Sequence, residues 1–383
     1  MAKAKLNFID VFSGAGGLSC GLEMTGMRCL LGVDVDSRAM QTFSANHKYA
    51  NIFSDDISNL SSDKLSTLTQ GQKIHLVAGG PPCQGFSTVG LGDPKDKRNS
   101  LFMQFVRIVK IAAPEFVLIE NVTGLLAKKN EKTLKDIFRQ FQNLGYHLDV
   151  QVMSSENYGV PEKRRRTIIL GSRLSCKIEF PVPTHNIMKN GKLIAPITVG
   201  DALKSLHTSE GNVYNHDIDS AAIKNQMDKK RLSHIPEGAG IRYRKDEMAY
   251  LPRHLRLKVD WDALPENRFR QTKYQRLDEK RPSPTIMTHR HSYYHPKEDR
   301  YLTQREAAAI QSFPSDFHFF GNVSSQWRQI GNAVPPLLGK ALGQAILKMY
   351  RKSHQENHQI QRQASASKIK SIREKAFVYK ERQ

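Results

Sequence analysis

The chain has 383 residues, 39% of them hydrophobic, long enough for one large domain or two ordinary ones around a real core. Lysine and arginine outnumber aspartate and glutamate by 58 to 37, and the charge of +21 is spread over most of the sequence, favouring a nucleic acid over a membrane surface as partner. Cys20, Cys29, Cys83 and Cys176 fit neither a zinc site nor a disulfide framework, no apolar run approaches a membrane span, and the N-terminal apolar segment is too short for a signal peptide, so a reduced, cytoplasmic protein is expected.

In chain order, the apolar run "LNFIDVF" ends at "SGAGG", "RCLLGV" ends at Asp34, "IHLVA" ends at "GGPP", and "EFVLI" ends at Glu120-Asn121. Between the last two, "NSLFMQFVRIVKIAA" places Leu101, Phe105, Val109 and Ala112 on one helical face, and Pro114 stops that helix. Strands alternating with helices predict a parallel α/β sheet. Each unusual cluster then sits just past the C-terminal end of a strand, the edge at which open parallel sheets bind ligands. After about residue 183 the alternation fades. "IRYRKDEMAYLPRHLRLK" and "NRFRQTKYQRLDEKRPSP" interleave basic and aromatic residues, as suits an irregular module that contacts nucleic acid. "PPLLGKALGQAILKMY" reads as a helix opened by prolines, with Leu338, Ala341, Leu342, Ala345, Ile346 and Met349 as its apolar stripe. Residues 351–383 form a basic polar tail.

The residue types at the strand ends suggest chemistry. Gly14, Gly16, Gly17 and Gly21 permit close approach of a ligand to backbone, but their spacing misses the dinucleotide fingerprint and leaves an adenosine-containing ligand open. Asp34 is placed to accept hydrogen bonds from ribose hydroxyls. Cys83 follows two prolines that stiffen the backbone, and the segment after it carries Gly85, Gly90, Gly92, Lys95, Lys97 and Arg98, a basic loop that would favour a thiolate and close over an anionic substrate. Glu120 ends an apolar strand, a suitable place for a proton donor beside a nucleophile. Arg164 and Arg166 alternate before an apolar strand, so both could face one side.

Together these clusters resemble the DNA cytosine-5 methyltransferase family, of the bacterial and phage restriction-modification type, over about residues 7 to 350. "DVFSGAGG" resembles its S-adenosylmethionine loop, "GGPPCQGFS" its catalytic loop, "IENV" its glutamate motif and "YGVPEKRRR" its arginine motif; "YLTQREAAAIQSFPSDFHF" and "QIGNAVPP" resemble its two C-terminal motifs, in the family order.

The resemblance implies a Rossmann-like α/β domain that binds S-adenosyl-L-methionine, spanning 1–183 and completed by 327–350, with an irregular target-recognition domain and hinge over 184–326. By position, Cys83 would be the nucleophile, Glu120 would engage cytosine N3, and Arg166, supported by Arg164, would hold O2. Phe12, Ser13, Gly14, Ala15, Gly16, Gly17 and Leu18 would line the methionine end of the cofactor. Asp34 would bind the ribose, Val35 would pack on adenine, and Asp56 and Ile57 would meet its edge. Pro81, Leu101, Asn332 and Val334 would complete the pocket, while Gln84 and Ser87 would lie near the flipped nucleotide.

Three sites depart from the family pattern: Glu162 replaces a usual glutamine, the pair Ser154-Ser155 replaces a usual Asn-Ala, and His75 stands where an acid is common. The implied partner is double-stranded DNA, with no metal, a monomeric state, and a cognate restriction endonuclease as a functional companion. Rival readings are a tRNA cytosine-5 methyltransferase of the same family, a DNA-binding regulator on a dead scaffold, and a nicotinamide-dependent oxidoreductase.

Overall fold

The computed structural model describes residues 6–82, 97–204, 206–207 and 209–355. The chain divides into two compact units, one of Met1–Tyr158, Arg164–Pro183 and Ala333–Gln383, the other of Gly159–Lys163 and Thr184–Asn332. The first half alternates as β1 (Asn7–Val11), α1 (Gly17–Glu23), β2 (Arg28–Val33), α2 (Ser37–Asn46), β3 (Asn51–Phe53), α3 (Ser62–Leu68), β4 (Leu76–Gly79), α4 (Lys97–Ala112), β5 (Phe116–Val122), α5 (Glu131–Asn143) and β6 (His147–Ser154). A two-residue β7 (Glu162–Lys163) and the long β8 (Arg165–Ser172) follow.

Seven strands form the central sheet of the first unit in the order β3-β2-β1-β4-β5-β8-β6. Successive residues of each strand point to opposite faces. Ile9, Val77, Val117 and Ile119 pack with α3, α4 and α5, whereas Phe8, Leu76, Phe116 and Leu118 pack with α1, α2 and the C-terminal helix α11 (Pro336–Gln355). Two apolar faces, each covered by helices, give a three-layer α/β/α unit.

The sheet is not wholly parallel, as strand–helix alternation alone predicts. β8 runs antiparallel to both β5 and β6. The ten residues from 155 to 164 are too few for the dozen or more that a parallel crossover needs, so β8 must return beside β6 in the opposite direction. The strand order reverses about β1, with β2 on one side and β4 on the other, and Val11 lies opposite Gly79. The loops after β1 and β4 therefore diverge from one switch point.

The second unit has no large sheet. It holds the hairpin β9 (Ile187–Lys189) and β10 (Lys192–Ile194), α6 (Val199–Leu203), α7 (Gln226–Leu232), β11 (Ile241–Tyr243), α8 (Arg244–Tyr250), β12 (Arg268–Lys273), β13 (Ser283–Pro284), α9 (Gln304–Ile310) and α10 (Val323–Asn332). Leu232, Ile235, Ile241, Leu251, Trp261 and Tyr294 form one apolar cluster in it, and the buried rings of Phe313, Phe317 and Phe319 pack as another group. The buried Glu247 carboxylate accepts the Trp261 indole N–H at 2.8 Å and so satisfies a polar group inside the first cluster. Among the described residues no helix is long and apolar enough to cross a membrane.

Candidate active site

The loop after β1 is held by backbone donors. Ser13 N–H donates to the Val33 carbonyl at 3.1 Å, and Gly16 N–H donates to that of Ser13 at 3.0 Å. Gly14 N–H donates to Asp34 Oδ2 at 2.9 Å, and Asp36 N–H donates to Asp34 Oδ1 at the same distance. Both oxygens of Asp34 thus already serve the loop, each keeping a lone pair for a further donor. Burial pushes the Asp34 carboxyl above its usual range, opposed by these N–H donors. Next to it Val35 is 73% exposed, a large apolar side chain left in solvent at the sheet's C-terminal edge.

Phe12 has φ 61, a left-handed conformation uncommon outside glycine. Gly16 has φ 90, and a Cβ there would lie 2.2 Å from His47 Nε2 and 2.8 Å from the Phe43 ring. Gly21, read from sequence as leaving room for a ligand, instead leaves room for a helix: its Cβ would fall 2.1 Å from the Pro336 carbonyl at the start of α11. Leu18 and Val334 are buried in the cluster that joins these two helices.

Two features here escape motif reading. Asp10, buried on β1, accepts the Ser19 hydroxyl of α1 at 2.7 Å and so ties together the two elements that flank the glycine loop. Arg107 of α4 donates to the carbonyls of Ile57 at 2.6 Å and Leu60 at 2.8 Å, pinning the turn that begins at Asp56. Asp56 itself caps that turn, accepting Ser58 N–H at 2.8 Å, a bond that holds its exposed carboxyl below the usual range. Ile57 is buried beneath it.

On the other side of the switch point, the chain leaving β4 runs through Gly80 and the buried Pro81 toward residue 83. Asn121, directly after Glu120, donates its amide to the Pro81 carbonyl at 3.0 Å. The Glu120 carboxylate lies over Gly80, where a Cβ would come to 3.3 Å from Oε2. β5 and β8 pair with Val122 opposite Arg166, which brings Arg166 Nε to 2.8 Å from Glu120 Oε1. The pair is an ion pair without an aligned hydrogen bond, because Oε1 is buried and accepts none. Leu101 packs half-buried on α4.

Arg164 precedes β8 and is buried, its backbone bonded both ways to Ser155: its N–H donates to Oγ at 3.0 Å and its carbonyl accepts the Ser155 N–H at 3.0 Å. Ser155 thus has a definite task at one position of departure from the family. Glu162, the other departure on this segment, lies in the second unit and accepts Ile286 N–H at 2.6 Å. Asn332 ends α10 in that unit. Cys83, Gln84 and Ser87 lie outside the described residues. No three His, Cys, Asp or Glu side chains are grouped to hold a metal ion among the described residues.

Comparison with known proteins places these features in a family. The family model described as C-5 cytosine-specific DNA methylase matches residues 6–348. A Type II methyltransferase of Haemophilus parahaemolyticus, M1.HphI, is 36% identical over 351 residues, covering 90% of this chain and 87% of its own. M.DdeI of Desulfomicrobium norvegicum, also a Type II methyltransferase, is 32% identical over 378 residues, covering 89% and 88%. Among solved structures, a prophage-encoded Escherichia coli protein described as a DNA modification methyltransferase superposes with a TM-score of 0.68 at 25% identity, over 91% of this chain and all of that one. A family match over residues 6–348, with relatives 36% and 32% identical over about nine-tenths of the chain, establishes that this protein belongs to the family of C-5 cytosine-specific DNA methylases.

Proposed function

We propose that this enzyme moves a methyl group from S-adenosyl-L-methionine to C5 of one cytosine within a specific duplex DNA sequence, as the modification arm of a restriction-modification system. The observation that carries this is the Glu120–Arg166 pair set over the Gly80–Pro81 backbone that leads into Cys83. N3 and O2 are adjacent on the Watson–Crick edge of cytosine, so an acid and a guanidinium held side by side match that edge. They do so only for a base swung out of the duplex, at a cost of about a few kcal/mol.

Cytosine C5 is a poor nucleophile, and covalent catalysis divides the difficulty. The Cys83 thiolate adds to C6, Glu120 engages N3 with a shared proton, and Arg166 favours negative charge at O2. Electron density displaced from the C5–C6 double bond makes C5 nucleophilic. After methyl transfer a base removes the C5 proton, the double bond re-forms and Cys83 leaves. Arg164 acts at one remove, fixing through Ser155 the start of the strand that carries Arg166.

The cofactor, when bound, supplies an electrophilic methyl on sulfur. The residues after β1 and β2 fit it: Gly14, where a Cβ would meet open space, leaves its backbone bare, Asp34 has lone pairs for ribose hydroxyls, and Val35 offers an exposed apolar face to a purine. Asp56-Ile57, Pro81, Leu101, Asn332 and Val334 are assigned to the same site by position. The second unit is assigned to target recognition, with the stretches from 241 to 258 and 267 to 284 supplying base-edge and phosphate contacts. The cellular site is the cytoplasm, where such a substrate is reached.

Cys83→Ala should keep binding cofactor and duplex while losing methyl transfer. The decisive measurement is covalent trapping on duplexes carrying 5-fluorocytosine in the methylated context, the context itself being read by bisulfite sequencing of plasmid from an expressing host. Substantial turnover by Cys83→Ala, or no trapping by the parent, would reject Cys83 as nucleophile.

A further inference from the structure

Residues 187–194 make a small hairpin at the start of the second unit. Its two-residue turn is Asn190-Gly191, with φ 50 and 72, the left-handed pair that a type I′ hairpin turn requires. Register puts Lys189 opposite Lys192, Met188 opposite Leu193, and Ile187 opposite Ile194. Side chains alternate across a strand, so one face presents the two lysines and the other the Met188–Leu193 pair. Met188 is 68% exposed and Leu193 61% exposed.

For an isolated protein this arrangement is doubly unfavourable. Like charges directly opposite on paired strands repel, and neither lysine has a carboxylate within ion-pair range among the described residues. The apolar pair on the reverse face is left in water. A duplex groove that admits the two-stranded ribbon edge-on relieves both, since phosphates of one wall neutralise the lysines and sugars of the other cover the apolar pair. A second copy of the chain does not, because it brings the same opposed lysines and a further +21 of charge.

We propose that this hairpin is a sequence-independent grip on duplex DNA, entering a groove edge-on with Lys189 and Lys192 on the phosphates of one wall and Met188 and Leu193 against the sugars of the other. This rests on the DNA-methylating function proposed above, and adds a positioning contact apart from base readout.

The test uses the full chain, a fluorescent duplex containing the methylated context, and one lacking it. Affinity is measured between 50 and 200 mM salt for the parent, Lys189→Gln/Lys192→Gln and Met188→Ser/Leu193→Ser. Each phosphate contact contributes about 0.9 to the slope of log affinity against log salt, so loss of two lowers the slope by about 1.8. Over that fourfold change in salt the parent should lose about 12-fold more affinity than the lysine variant. The reduction in slope should be the same on both duplexes. The apolar variant should bind less tightly with its slope unchanged, and Lys189→Arg/Lys192→Arg should restore the parent slope. Cofactor affinity and circular dichroism, unchanged in each variant, certify folding.

An unaltered slope in a folded lysine variant overturns the proposal. So does concentration-dependent dimerisation of the parent that Met188→Ser/Leu193→Ser abolishes, because the apolar face would then be a contact between copies. Parent methylation of the duplex is scored in parallel. Its absence would sink the function itself, whereas methylation with an unaltered slope would sink only the hairpin's role.

Discussion

Asp10 gives the sharpest quantitative test of the first unit. Its carboxyl is buried within β1, and burial pushes it from the usual 3.8 up to about 7; the Ser19 hydroxyl opposes that rise and the nearby Asp34 adds to it. The native chain therefore holds a proton that the unfolded chain has already released. Between the two values the folded state binds more protons, so stability falls as pH rises, beginning near 4 and ending above about 7. Roughly three pKa units at 1.36 kcal/mol each amount to about 4 kcal/mol, of which about 2 to 3 kcal/mol is lost between pH 5 and pH 8.

Asp10→Asn keeps the shape and an acceptor for Ser19 but cannot ionise. Compared with the parent by urea midpoint across that range, the variant should gain relative stability as pH rises and be the more stable protein at pH 8. Taking the difference between the two proteins cancels the titrating groups remote from Asp10 and leaves only those coupled to it, such as Asp34. Parallel stability curves for parent and variant from pH 5 to pH 8 would refute the burial argument.

Gly21→Ala places a methyl 2.1 Å from the Pro336 carbonyl and should cost about 1–3 kcal/mol of stability through overpacking, while the KM for the methyl donor, measured on the folded fraction, stays within twofold; a raised KM with unchanged stability would return Gly21 to the ligand site. Glu120→Gln should slow methyl transfer by about 10²-fold or more with duplex and cofactor binding retained, as befits a lost proton donor at N3. A single-turnover rate within threefold of the parent would remove that role.

The parts of the site that were legible in sequence are those written in local chemistry. Each apolar run became a strand of the central sheet, because a strand buried on both faces needs a continuous apolar stretch; β1, β2 and β4 stop where the run meets its turn residues, whereas β5 continues past Glu120 to Val122 because β8 pairs with it there. Partnerships across long sequence separations were not legible. Asp10 reads as one acid in an apolar strand until α1 brings Ser19 over it. Arg107 reads as a solvated helix cation until its guanidinium meets the carbonyls of Ile57 and Leu60. Arg164 and Arg166 are two residues apart, and alternation suggests one common face. The strand begins only at Arg165; Arg164 is buried with its backbone bonded to Ser155, while the Arg166 side chain reaches Glu120.

Charge shows the same division in the second unit, where counting misleads most. This basic segment uses some of its arginines as internal struts. Arg276 donates to the carbonyls of Ile235 at 2.8 Å, His295 at 3.1 Å, Glu298 at 2.8 Å and Leu232 at 3.0 Å, and pairs with Asp299, so its whole guanidinium fork is engaged indoors. Arg300 is clasped by Glu306 and Glu298, and the buried Arg305 donates to the carbonyls of Ser315 and Phe317. Arg276 lies in a stretch that reads in sequence as contacting nucleic acid; in the fold all three hold loops together. The cations left to meet DNA are those with exposed heads and no internal partner, of which the opposed lysines of the β9–β10 hairpin are a clear instance. Net charge therefore identifies the kind of partner, but only burial separates the cations that bind it from those that build the surface it binds.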